Sequence, residues 1–265
     1  KGAYHYKDYA VLYRTNAQSR LFEERFLLAN IPYKIVGGVN FYSRKEVKDI
    51  LAYLKTIDNG QDDLAVRRII NIPKRGIGAA TIGKVQAFAD NNDLDFYMAL
   101  EHAQMVPGIG KAYAKISPFV EFIEGLREKA KTLPVEELIE EIIEETGYVR
   151  ELEAENDEEA EARIQNIDEL ISKAAAYTEA AEEPSLSGFL EEVALVADID
   201  SLDNDTDYVV LMTLHSAKGL EFPNVFLVGM EDGLFPSYMS ITSDEISPNG
   251  VNSEIEEERR LAYVG

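Results

Sequence analysis

Three short stretches carry side chains whose types and spacing could do chemistry. Residues 214–223 (LHSAKGLEFP) place an imidazole, an ammonium and a carboxylate between two apolar runs, 208–213 (YVVLMT) and 224–230 (NVFLVGM). His215, Lys218 or Glu221 alone is ordinary on a connecting loop. At the C-terminal end of a strand covered on both faces, however, such a loop lies where open α/β sheets bind ligands. Residues 256–265 (EEERRLAYVG) put three carboxylates before Arg259 and Arg260 on one amphipathic helix. Read locally, Glu256 and Arg260 are an i, i+4 ion pair worth a few tenths of a kcal/mol, at about 0.2–0.5. Residues 13–20 (YRTNAQSR) follow an apolar, aromatic run and open a helix, with Asn16 or Ser19 as the expected cap.

Two glycine-rich stretches need separating. Residues 78–85 (GAATIGKV) satisfy G-x-x-x-x-G-K, yet the next position of a phosphate-binding loop needs Ser or Thr to ligate Mg²⁺, and here it is Val85. Ile82 and Val85 also fit the buried stripe of a helix. The triplets Gly76-Ile77-Gly78 and Gly108-Ile109-Gly110 each lead into a helical stretch and resemble helix-hairpin-helix turns. In such turns glycine lets the backbone approach a phosphate, and helix N-terminal N–H groups point at it. Lys74 and Arg75 flank the first turn and Lys111 the second. Either turn alone is a common helix connection.

The elements that position these groups follow from periodicity. Residues 9–13 and 33–36 read as strands around a helix over 19–30, a unit of parallel-crossover size. Gly37-Gly38 then breaks the pattern and reads as a junction. Val47, Ile50, Leu51 and Leu54 form a helical stripe, and helical spacing continues to about residue 203. Within that span Val135, Leu138, Ile139, Ile142 and Ile143 make one stripe stopped by Gly147, a long helix covers 157–182, and another follows Ser187. The stripe Phe119, Phe122, Ile123 and Leu126 reads as core. The terminal helix has Ser253 and Glu256 in capping-box spacing. The expected architecture is an α/β domain with a parallel sheet built from both ends of the chain, residues 1–38 and 206–265, with an all-helical domain inserted at 39–205.

Composition narrows the function. The chain has 265 residues, no cysteine and three histidines, His5, His102 and His215, far apart in sequence. That excludes a disulfide framework, a thiolate metal site and a cysteine nucleophile, and no metal site is expected. No run of about 18 apolar residues exists, and the first residues lack a signal-peptide layout, so the expectation is a cytoplasmic protein without a membrane partner. The net charge of −23 opposes nucleic acid only if spread evenly. Acid concentrates at 136–161, where Arg150 is the one basic residue, whereas Arg67, Arg68, Lys74, Arg75 and Lys84 cluster upstream. The acidic helices read as solvated faces.

The order T-x-H-x-x-K-G-L-E-F from Thr213, the EEERR segment and YRTNAQSR together resemble superfamily 1 DNA helicases of the UvrD/PcrA/Rep type, the PcrA branch being nearest. The resemblance covers most of the chain, as the second motor domain (2A, RecA-like) and its helical insertion (2B). It implies an ATP-dependent 3′ to 5′ helicase in which Arg14, Asn16, Thr213 and His215 face single-stranded DNA. Glu221 would hold the nucleotide sugar, and Arg260 would be an arginine finger on the γ-phosphate. Lys74, Arg75, Gly76, Gly78, Gly108, Gly110 and Lys111 would meet duplex DNA. ATP with Mg²⁺ would be shared with a P-loop domain (1A, with 1B) that supplies the Mg²⁺ ligands, so this chain by itself is expected to be inactive. The competing readings are a DNA-junction binding module or a regulatory interaction module, without motor activity, that takes protein partners.

Overall fold

A computed structural model describes residues 5–155, 157–200, 207–243 and 252–265. The chain forms two compact units, one of residues 1–44 with 196–265 and one of residues 45–195.

The first unit is built on strands β1 (Tyr9–Tyr13), β2 (Tyr33–Val36), β3 (Val209–Thr213) and β4 (Asn224–Leu227), with helix α1 (Ser19–Leu28) between β1 and β2. All pairings are parallel and the order is β2-β3-β1-β4. The unit β1-α1-β2 is thus a parallel crossover as expected, but β3, from the other end of the chain, lies between its two strands. This interleaving makes one sheet from both ends. Alternate residues face opposite sides: Ala10, Leu12, Val210 and Met212 pack with Phe235 and Leu261, and Val11, Tyr13, Val209 and Leu211 pack with Phe22 and Phe26 of α1. Both faces are apolar, which is why these strands read as continuous apolar runs.

Residues 41–44 stay with this unit for a physical reason. The Glu23 carboxylate of α1 is buried, accepts the Phe41 N–H at 3.0 Å and lies 3.6 Å from the Arg44 guanidinium. Arg44 also donates to Ser19 Oγ at 2.7 Å. A division at 38/39 would cut this network, and the division falls at 44/45 instead. The other sequence boundary, 205/206, lies within residues 201–206, outside those described.

The second unit is all-helical, from α2 (Lys45–Asp58) and α3 (Asp63–Ile69) through α4 (Ala79–Asn92), α5 (Phe96–Glu101), α6 (Tyr113–Lys129), α7 (Val135–Thr146), α8 (Tyr148–Glu155) and α9 (Glu158–Ala180) into α10 (Leu186–Asp200). The stripe Val47, Ile50, Leu51 and Leu54 is buried, as are Phe119, Ile123 and Leu126. Gly147 ends α7 in the left-handed conformation, φ 68°, and Asp157 caps α9 through the Ala160 N–H at 2.7 Å. Asp49 is fully buried, and its charge is met by Arg68 Nε at 2.6 Å and the Tyr148 hydroxyl at 2.7 Å. Burial and the bond to Asp49 push the Tyr148 phenol up.

After β4 the chain forms short helix α11 (Tyr238–Thr242) and then α12 (Ser253–Ala262). The cap of α12 is Asn252, whose side chain accepts from the Glu254 and Ile255 N–H groups at 2.9 and 3.1 Å, and not Ser253 as the spacing suggested. Ser253 is the first helical residue, so its hydroxyl is one position too late.

Candidate functional site

The C-terminal ends of β1 and β3 are neighbours. Tyr13 stands opposite Thr213, and the Leu214 N–H donates to the Tyr13 carbonyl at 2.9 Å. The loops that carry Arg14 and Asn16, and Thr213, His215 and Glu221, therefore leave the sheet side by side. Thr213 Oγ1 accepts the Ser216 N–H at 3.3 Å and lies 3.0 Å from Ser216 Oγ, so its hydroxyl folds the loop into a turn. Beyond that turn His215, Lys218 and Glu221 are exposed. Gln18 closes the first loop by accepting the Arg14 and Thr15 N–H groups at 2.8 and 3.0 Å, and α1 begins after Gln18 with no side-chain cap, where the sequence suggested one from Asn16 or Ser19. Asn16 Oδ1 is buried without a hydrogen-bond partner, an arrangement costing about 1–3 kcal/mol.

The end of β2 joins the same edge, which the sequence did not indicate. Gly37 has φ 78°, and a Cβ there would collide with Ser216 Oγ; a Cβ on Gly38 would sit 3.2 Å from Asn16 Oδ1. The glycine pair, read as a junction, is also where the β2 loop closes against the other two. Its signal was the pair itself, since two successive residues without Cβ permit close backbone approach.

The two arginines differ in kind. Arg14 is largely buried, and its Nε and Nη2 grip both carboxylate oxygens of Glu258 at 2.8 to 3.1 Å. Glu258 is 6% exposed and also accepts Ser240 Oγ at 3.2 Å. The sequence held a clue to this carboxylate, because Glu258 lies three residues before buried Leu261 on the inward stripe of α12. Arg260, by contrast, is 69% exposed and paired with exposed Glu257 at 3.1 Å. The expected Glu256–Arg260 pair is replaced by i, i+3 pairs, with Glu256 on Arg259 at 2.9 Å. The Arg259 guanidinium holds the Glu256 carboxyl below its usual range. Arg260 and Glu221 are both solvent-facing and are not hydrogen-bonded to one another among the described residues.

In the helical unit the two glycine triplets are tied together. Lys84, on the helix after the first triplet, donates to the Gly108 carbonyl at 2.6 Å, and Lys115, on the helix after the second, donates to the Gly76 carbonyl at 3.0 Å. Gly76, Gly108 and Gly110 have φ of 70°, 70° and 51°. Gly78 is the N-cap of α4 with no side-chain cap, and a Cβ on Gly78 or Gly110 would meet open space. The second triplet enters α6 through a 3-10 turn, Gly110–Ala112, so the two are not identical. Lys74 and Lys111 are exposed. Arg75 corrects the expectation of a cationic flank. Its Nη1 donates to the carbonyls of Ile69 and Ile72 at 2.8 and 3.0 Å, its Nη2 to the Tyr53 hydroxyl at 2.7 Å, and it stacks 5.1 Å from the Phe119 ring. The guanidinium satisfies carbonyls at the end of α3 and shapes the turn from inside.

The G-x-x-x-x-G-K stretch lies in α4 with Val85 fully buried and Lys84 committed to Gly108. Among the described residues no group of three His, Cys, Asp or Glu could hold a metal ion, and no helix is long and apolar enough to cross a membrane. An apolar cavity of about 730 Å³ opens elsewhere on the sheet unit, lined by Tyr9, Phe22, Phe26 and Phe226 among others, and takes in none of the candidate residues.

The chain matches the UvrD-like helicase C-terminal domain over residues 1–265. It is 46% identical to the ATP-dependent DNA helicase PcrA of Bacillus subtilis (strain 168) over 97% of its own length, and 45% identical to the PcrA helicase of Staphylococcus aureus (strain Mu50) over 98%. A PcrA helicase of Staphylococcus epidermidis is 44% identical over 98%. In each case the chain spans 35% of the relative. With an all-parallel sheet assembled from both chain ends, an all-helical unit between them and a family match along its whole length, the chain belongs to the UvrD-like helicase C-terminal domain family.

Proposed function

We propose that this chain is the strand-gripping, arginine-donating half of a 3′ to 5′ DNA helicase motor, with residues 1–44 and 196–265 as domain 2A and residues 45–195 as domain 2B. The observation that carries the reading is the adjacency of the 14–18 and 213–221 loops at the C-terminal edge of β1 and β3. One sheet edge thus offers groups for a single strand, Arg14, Asn16, Thr213 and His215, and a carboxylate for a nucleotide sugar, Glu221. ATP with Mg²⁺ is shared with domain 1A, whose P-loop and acidic residues supply the metal ligands, while domain 1B completes the motor.

The residues present fit a nucleotide delivered from outside this chain. Arg260 is exposed and, among the described residues, is held by an exposed i, i+3 partner, so its planar fork is available to meet a phosphate. Glu221 is exposed on its loop. Bound ATP supplies the phosphoryl bond whose cleavage drives stepping. On closure Arg260 stabilises charge developing on the γ-phosphate, and Glu221 orients the sugar by accepting from its hydroxyl. Without a P-loop partner these groups have no phosphate to act on, so the isolated chain does not turn over ATP.

The tied glycine turns support a duplex contact in the same machine. Lys74 and Lys111 neutralise phosphates, and the backbone at Gly78 and Gly110 is open to close approach. In the intact helicase, Arg260→Ala is expected to lower DNA-stimulated ATP turnover by about 10³-fold or more while leaving oligonucleotide affinity unchanged. Near-normal turnover would refute the arginine-finger assignment.

A further inference from the structure

Arg14 reaches the strand-facing edge already carrying its own counter-ion. Its Nε and Nη2 are taken up by both oxygens of Glu258, at 2.8 to 3.1 Å. Glu258 is buried and further held by Ser240 Oγ at 3.2 Å. If Arg14 swung away onto a phosphate it would leave this carboxylate buried without a cation, which is costly. The pair therefore stays together when a strand is present. What Arg14 can then offer is the Nη1 group, whose N–H bonds are unspent by the fork, on a pair with no net charge.

Resting on the reading that Arg14 touches single-stranded DNA, we infer that Glu258 is a built-in counter-ion that attenuates the hold of Arg14 on the strand. The contact becomes a positioned hydrogen bond and does not neutralise a phosphate. The effect is physical and local: counter-ion release from a nucleic acid scales with the cationic charge placed on it, and a neutral pair contributes almost none. A motor that must release and regrip its track gains from a contact that orients without clamping. Glu258 sits on α12, which also carries Arg260, so the helix that serves the nucleotide also sets the strength of one grip on the strand.

The test is binding of a fluorescent oligothymidylate to the chain by anisotropy across a salt series. Glu258→Gln keeps volume and acceptor but removes the charge. It is expected to tighten binding about five-fold at low salt and to steepen the log–log salt slope by about 0.7, the increment for one extra cation on a single strand. Glu258→Asp, which retains the charge, is expected to keep the wild-type slope. The gain is expected to vanish when Arg14→Ala is added to Glu258→Gln. If Glu258→Gln does not fold, as judged by its melting curve, Glu258→Met gives the same reading. An unchanged or shallower slope in the charge-removing variant overturns the inference, and so does tightening that persists without Arg14. The parent reading fails in a different way, by Arg14→Ala alone leaving the affinity for the oligothymidylate unchanged.

Discussion

The sheet edge and the glycine turns are both candidate DNA surfaces, and they are built on opposite principles. At the sheet edge the arginines arrive matched to carboxylates: Arg14 to buried Glu258, and Arg260 to exposed Glu257. Three loops from distant parts of the sequence close on one another there, through Gly37 against Ser216 and Gly38 against Asn16. At the turns the order is reversed. The internal ties are made by lysines on carbonyls, Lys84 on Gly108 and Lys115 on Gly76, and the arginine that looked like a phosphate ligand, Arg75, is spent on shaping the turn. Lys74 and Lys111 remain exposed beside open glycine backbone. On the proposed reading, the edge orients a ligand and the turns hold one by charge.

One kind of change should therefore have unequal effects in the two places. Gly37→Ala forces a left-handed residue and a collision with Ser216, and is expected to destabilise the sheet unit by about 2 kcal/mol or more. Gly110→Ala adds only the left-handed strain, about 1 kcal/mol, because nothing lies within reach of its Cβ. Chemical denaturation of the two variants measures the gap, and equal losses would break the comparison. His215→Ala is expected to weaken single-strand binding about tenfold and to leave duplex binding unchanged, read by anisotropy on both probes. The double change Lys74→Ala with Lys111→Ala should do the opposite. It lowers the salt slope for duplex by about 1.8, at 0.9 per phosphate contact, and leaves the single-strand slope alone. An effect of equal size on both probes would erase the distinction.

Much of this was legible in the residues, and the misses share a cause. The limits of β1 and β2 and the α7 stripe with its Gly147 stop could be read because each depends on neighbours within a few positions. The missing side-chain cap of α1 and the cap of α12 at Asn252 differ from expectation where several polar residues compete for the same N–H groups. Arg75 was misread because an arginine beside a glycine turn looks the same whether it faces out or in. Its direction is settled by the carbonyls of α3 and the ring of Phe119.

The sequence by itself determined the family and the parallel α/β character, since apolar period and motif order are written along the chain. Only the tertiary structure decided who meets whom. It inserted β3 between β1 and β2, brought Gly37 and Gly38 against Ser216 and Asn16 at the C-terminal sheet edge, cross-tied the two glycine turns, and gave Arg14 a buried counter-ion from α12. The physical reason is that a buried charge must find a partner of opposite sign. Burial on the stripe of α12 makes Glu258 need a cation, and only the packing of two chain ends into one sheet settles that the cation is Arg14.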